Sequence, residues 1–307
     1  MQTAYISHPE FLKHDMGPDH PECPARMHAI TDQLMASGLF DYLSHVEAPK
    51  VSKQILALAH STTYIDWVFE NSPAADLIDL DGDTLMNPYT LDAALLATGA
   101  VVKAVDLVMA GEVNNAFCSI RPPGHHAKRS SAAGFCIFNN VAVAAAYALK
   151  HYGLQRIAIA DFDVHHCDGT EDIFHDDPRV MVCSTFQHPY YPYSSPDSGN
   201  DHIINVPLAA GCNGEQFRTA VTEHWLPALE QFAPEMIFIS AGFDAHWEDD
   251  MGDVLLHEKD YLWVTQALKV VAKKHANHRI VSALEGGYAL HALGRSVMTH
   301  VKCLADL

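Results

Sequence analysis

No stretch of this 307-residue chain is apolar for long enough to cross a bilayer, so no membrane-spanning helix is expected. Basic residues are scarce. Nineteen Lys and Arg stand against 38 Asp and Glu, a formal net charge of −19. Phosphate backbones are gripped by basic patches, so nucleic acid is not an expected partner. An acidic surface suits cationic molecules instead. The seven cysteines, an odd number, show no CxxC spacing. That argues against a disulfide framework and for a reducing compartment, with most of them read as small buried apolar residues. The opening residues MQTAYISHPEFLKHD lack the basic and apolar regions of an export signal, so a cytoplasmic location is expected. Linkers rich in Gly, Pro or Ser, repeats and low-complexity tracts are missing as well. One domain over 1–307 is therefore read.

What the chain does contain is alternation. Short apolar runs at 3–7, 116–120, 156–164, 180–186, 236–243 and 279–286 read as strands. Between them, 24–39, 91–110, 140–151, 214–232, 258–275 and 291–304 read as helices. Leu91, Leu95, Thr98, Val102 and Val105 illustrate the helical spacing. The implied class is α/β, a parallel sheet with helices on both faces. The longest irregular stretch, 187–211, holds HPYYPYSSPDSGND and is expected to form an ordered rim around a site.

The densest chemistry lies in IAIADFDVHHCDG, residues 157–169. In an extended chain, residues two apart face the same side, so Asp163 and His165 can reach one point as the strand runs out. A carboxylate oxygen and an imidazole nitrogen suit a catalytic zinc, which takes about three protein ligands and keeps one place open. Ligands of parallel sheets bind beyond the carboxyl ends of strands. Other strands here end in His125 and His126 (RPPGHHA), in Asp244 (SAGFDA), and in Gly287 and Tyr288 (EGGY). Asp244 is the natural third ligand, against the alternative of a helix N-cap. Asp161 and Asp168 are each free to orient one of the two histidines. A Tyr288 hydroxyl after a Gly-Gly pair can donate to an oxyanion.

RPPGHHA, Gly134–Cys136 (GFC), DFDVHHCDG, SAGFDA and EGGY, after an early HPECPAR (His20–Arg26), occur in the order seen in zinc-dependent histone deacetylases. The chain resembles that family and its bacterial relatives, which include acetylpolyamine amidohydrolases; RPPGHHA is similar to the class II branch. The resemblance implies an arginase-deacetylase fold with about eight parallel strands. It implies one Zn2+ on Asp163, His165 and Asp244, the pairs His125–Asp161 and His126–Asp168, and Tyr288 as the catalytic tyrosine. A tunnel would run past Gly134, Phe135, Met251, Gly287 and Tyr191, with Tyr190 a lesser candidate for the Tyr191 wall. Structural K+ ions are implied too. One would lie at Asp161, Asp163, His165, Ser184 and Thr185, a second at Phe174, Asp177 and Val180.

Two departures stand out. Cys167 occupies a place usually held by Gly, and its side chain must find room close to the metal. Met251 stands where relatives that prefer polyamines carry a glutamate. The expected reaction is removal of acetyl or longer acyl groups from lysine side chains, peptides or small amines by metal-activated water, releasing a cationic amine. Acetylpolyamine hydrolysis is the alternative within the enzyme reading. A non-catalytic acyl-ligand sensor is the rival of another class. An arginase-like two-metal hydrolase is disfavoured because Cys167 and His246 stand where the second metal would want acids. Whether the chain forms a homo-oligomer is left open by the sequence.

Overall fold

The computed structural model describes residues 2–307. Its strands are β1 Thr3–Ser7, β2 Ser44–Glu47, β3 Ile78–Asp79, β4 Leu85–Met86, β5 Asn115–Cys118, β6 Ile157–Asp161, β7 Val180–Gln187, β8 Ile203–Leu208, β9 Met236–Ala241 and β10 Ile280–Leu284. The helices are α1 Ala25–Ala36, α2 Lys53–Leu56, α3 Thr62–Glu70, α4 Thr90–Met109, α5 Asn140–Tyr152, α6 Asp168–Phe174, α7 Gly214–Ala220, α8 Leu226–Phe232, α9 Glu258–His275 and α10 Leu290–Leu304. Eight strands form one sheet in the order β2-β1-β5-β10-β9-β6-β7-β8, and every pairing in it is parallel. β3 and β4 make a small antiparallel hairpin of their own.

Composition explains the centre of the sheet. β5, β6, β9 and β10 are buried at every residue, as strands covered by helices on both faces must be, so they read as continuous apolar runs. Those four are neighbours in the middle of the sheet. Their carboxyl ends therefore open onto one small area, the place where such sheets bind ligands.

Three expectations change. β2 and β8 were not read as strands. β2 is SHVE with every second residue exposed, and β8 lies inside the stretch taken as irregular, with Pro207 in it. Both are edge strands, where a proline's missing N–H costs no ladder bond. The rim loop accordingly shrinks to residues 188–202. The helix expected over 214–232 is continuous, but it widens into a π turn at Val221–Trp225. Pro227 follows at once and offers no N–H to the carbonyl four residues back.

Candidate active site

Strand β6 stops at Asp161, so Asp163 and His165 are not aligned by the pleat of a strand as the spacing suggested. They sit in the bend that follows, and hydrogen bonds do the aligning. Asp161 Oδ1 accepts from the Asp163 N–H at 3.0 Å, and Asp163 Oδ1 accepts from the His165 N–H at 3.0 Å. Asp244, three residues past β9, accepts from the Val164 N–H through Oδ1 at 2.8 Å. Asp163 Oδ2 accepts from the Gly286 N–H at 2.9 Å. Asp163 thus has both oxygens tied to main chain, whereas Asp244 has one tied and turns Oδ2 toward His165. His165 Nδ1 lies 3.0 Å from Asp163 Oδ1 and 3.3 Å from Asp244 Oδ2. The three ligand atoms fall within 4.8 Å of one another.

Two observations fit this donor set to a divalent cation. Asp244 Oδ2 is buried with no hydrogen-bond partner, although a buried carboxylate oxygen costs free energy unless something compensates it. Burial, then the neighbouring Asp163 carboxylate, push Asp244 up to about 7. Burial opposes charge on His165, yet the Asp163 and Asp244 carboxylates raise it to about 10. The cluster is a pocket of negative potential that favours any cation placed in it. Gly286 belongs to this packing, since a Cβ there would collide with Asp244 Oδ2 and Asp163 Oδ2.

Two histidine–carboxylate pairs border the cluster. His125 Nδ1 meets Asp161 Oδ2 at 2.9 Å, and His126 Nδ1 meets Asp168 Oδ1 at 2.8 Å. The two imidazole rings are 4.1 Å apart. They differ electrically. Burial disfavours a cation at His125, but Asp163 and Asp161 outweigh it and hold the ring well above its ordinary value. At His126, burial and the charge of His125 prevail over Asp168 and pull the ring down to about 4. Lys128 Nζ, 3.0 Å from Asp168 Oδ2, shares that carboxylate. The two rings are thus biased in opposite directions, His125 toward the charged form and His126 toward the free base.

Above these groups opens a cavity of about 270 Å³. His125, His126, His165, Gly134, Phe135, Tyr190, Tyr191, Met251 and Tyr288 all line it. Phe135 and Tyr288 meet edge to face at 6.0 Å. The Tyr191 ring is 5.1 Å from His126, and Tyr190 stacks on His165 at 5.8 Å, so both tyrosines contribute to the wall. Burial raises the Tyr288 phenol well above its ordinary value, which keeps its proton in place.

A histone deacetylase domain model matches residues 20–304. The chain belongs to the histone deacetylase family. It is 37% identical over 298 residues to a probable deacetylase of Archaeoglobus fulgidus, covering 94% of this chain and 82% of that one. It is 36% identical to the polyamine deacetylase HDAC10 of Mus musculus, covering 99% of this chain but 48% of the mouse protein. Among solved structures, the HD domain of HDA15 superposes with a TM-score of 0.94 at 32% identity, over 99% of this chain and 88% of that one.

Within this deacetylase fold, other expected positions fall as follows. Gly287 does not line the cavity. Its carbonyl turns away to accept from Arg26 Nε at 2.7 Å. His246 is not part of the Asp163–His165–Asp244 cluster: its Nδ1 accepts from the Glu248 N–H at 3.2 Å and its ring meets His257 edge to face. Cys167 caps α6 at φ −78°, a backbone any residue adopts, and it is fully buried. The side chain in place of glycine therefore brings no left-handed strain, and burial keeps the thiol protonated. Ser184 pairs with Asp161 across β6 and β7, with Thr185 next along the strand. The Phe174 carbonyl accepts from the Asp177 N–H, and the Asp177 carbonyl from the Val180 N–H, in the turn between α6 and β7.

Sequence reasoning missed the residues that hold the others. Asp249 Oδ2 accepts from the N–H groups of Tyr288 at 2.6 Å and Ala289 at 2.8 Å. Arg26 lies over the Tyr288 ring at 4.9 Å and donates to the Glu285 carbonyl. Glu22 pairs with both Arg26 and Arg121, all three fully buried. A signal was available in HPECPAR, where an acid and an arginine sit four apart among apolar neighbours with no solvent-facing pattern.

Proposed function

We propose that the protein is a zinc-dependent deacylase that hydrolyses acetyl or short acyl groups from lysine side chains, free or in extended peptides. The observation that carries this reading is the convergence of Asp163, His165 and Asp244 on one point, flanked by two histidine–carboxylate pairs and roofed by an aromatic-walled cavity. Asp163, His165 and Asp244 would hold the zinc, which supplies Lewis acidity to the acyl carbonyl and acidity to a water.

The remaining steps fall to the protein's own side chains. His126, neutral and oriented by Asp168, takes the proton from the attacking water. His125, charged and oriented by Asp161, stabilises negative charge gathering at the carbonyl. His126, once protonated, returns its proton to the leaving amine. Such positioned acid–base groups contribute about 10²–10⁴-fold. The Tyr288 hydroxyl donates to the developing oxyanion, a role worth about 10²–10³-fold where measured. Phe135 and Tyr191 hold the alkyl chain between them and keep water off it. Potassium at Asp161, Asp163, His165, Ser184 and Thr185, and at Phe174, Asp177 and Val180, belongs to the same reading, as does a cytoplasmic, reducing setting for seven free cysteines.

Acetylated polyamines are the second substrate class. Asp83 lines the cavity and offers a carboxylate to a cationic chain, while Met251, also in the lining, offers none. A panel of acyl-lysine peptides and acetylated polyamines, assayed with the zinc-loaded protein, decides between them. The proposal predicts a higher kcat/KM for acyl-lysine. A preference of tenfold or more for acetylpolyamines would transfer the assignment to that class, and inertness toward both would overturn the deacylase reading.

A further inference from the structure

Glu285 directly follows β10, and none of it reaches solvent. Its Oε2 accepts from two consecutive main-chain N–H groups, Gly124 at 2.6 Å and His125 at 3.1 Å. Its other oxygen, Oε1, is buried without a partner. Packing alone gives no reason for an ionisable group here, since burying one is costly. The turn after β5 does give one. Gly124 and His125 lie beyond the strand, where no ladder supplies acceptors, and buried N–H groups must find them somewhere. Converging N–H pairs form a concavity that accepts an anion or a carbonyl oxygen.

The consequence falls on His125. Its N–H is held by Glu285, its carbonyl accepts from the Thr170 N–H at 3.1 Å, and its ring is held by Asp161. Both ends of the residue and its side chain are pinned. His126, the next residue, inherits that placement.

We propose that Glu285 is a positioning residue: its side-chain oxygen clasps the Gly124–His125 main chain and so fixes both imidazoles over the Asp163–His165–Asp244 cluster. The inference rests on the deacylase reading of that cluster. Burial pushes the Glu285 carboxyl up to about 7, so the clasp depends on an acceptor oxygen rather than on full charge. Glutamine supplies the same oxygen at the same reach. Aspartate keeps the acid but draws it back, and leucine removes the acceptor.

The test is kinetic and structural, on the full zinc-loaded chain. Glu285→Gln is expected to keep kcat within about threefold of wild type. Glu285→Leu is expected to lower kcat at least about tenfold, with KM within about twofold and zinc content unchanged, as a misplaced group acting only at the transition state does. Glu285→Asp is expected to fall with the leucine variant, and serves if that variant does not fold. Hydrogen exchange at Gly124 and His125 should quicken in the Leu and Asp variants and stay slow in the Gln variant. A wild-type kcat in Glu285→Leu or Glu285→Asp overturns the proposal. So does a Gln variant that falls as far as the others, or exchange that is slow in all three. If wild type is inert toward every acylated amine, the deacylase reading fails, and the exchange measurement still decides the clasp.

Discussion

Asp163 and Asp244 carry their function in the way each is held. Asp163 accepts from main chain through both oxygens, at Gly286 and His165, while Asp244 binds Val164 through one and leaves the other facing His165. Such outer contacts orient metal ligands and tune their basicity. The two histidine pairs use similar parts for opposite ends. Asp163 and Asp161 favour the charged form of His125, whereas His126 has Asp168 shared with Lys128 and is disfavoured as a cation by the neighbouring His125. Tyr288 is the cleanest single test at this scale. Tyr288→Phe keeps the ring against Phe135 and Arg26 and deletes only the hydroxyl. Turnover should drop at least about tenfold with zinc content unchanged by metal analysis. A variant as fast as wild type would remove Tyr288 from the chemistry.

At the level of elements, the site follows from four adjacent strands that end together. Those strands were legible because burial on both faces leaves unbroken apolar runs. The edge strands β2 and β8 were not, because β2 alternates exposed and half-buried residues and β8 carries a proline, both of which resemble loop composition. The residues of the site were legible where chemistry clusters after a strand. Asp249 and Glu285 were not, because a carboxylate that binds main-chain N–H groups leaves no pattern of side-chain spacing. Helix α10 carries a separate prediction. His300 is buried between Thr265 Oγ1 at 2.7 Å and Ser282 Oγ at 2.9 Å, and burial lowers it to about 3. The unfolded chain binds a proton there below about 6.5 that the folded chain refuses until about 3. Its contribution to stability is therefore present above pH 6.5 and lost as pH falls. His300→Leu should flatten the pH dependence of the unfolding free energy between pH 6 and 4 by up to one proton. Identical slopes in the two proteins would contradict this.

For the molecule as a whole, the parallel α/β class and the eight-stranded sheet were readable from alternation and family motifs together. Composition alone gave neither the strand order nor the edges. Charge acts at the same scale. A net charge of −19 should draw cationic substrates toward the cavity, and salt screens that pull as the Debye length shrinks from about 10 Å at 0.1 M to about 3 Å at 1 M. KM for a cationic acyl-amine should rise over that range while KM for a neutral acyl-lysine analogue holds steady. Equal responses would mean that the surface charge plays no part in capture.

The most direct measurement is zinc stoichiometry by elemental analysis, run in parallel with acyl-lysine hydrolysis, on wild type and on Asp244→Ala. The prediction is one zinc per wild-type chain, activity that vanishes on chelation and returns in proportion to zinc restored, and an Asp244→Ala protein that folds but neither retains the ion nor hydrolyses substrate. Hydrolysis by metal-free protein, a requirement for two ions per chain, or full zinc retention without Asp244 would contradict it.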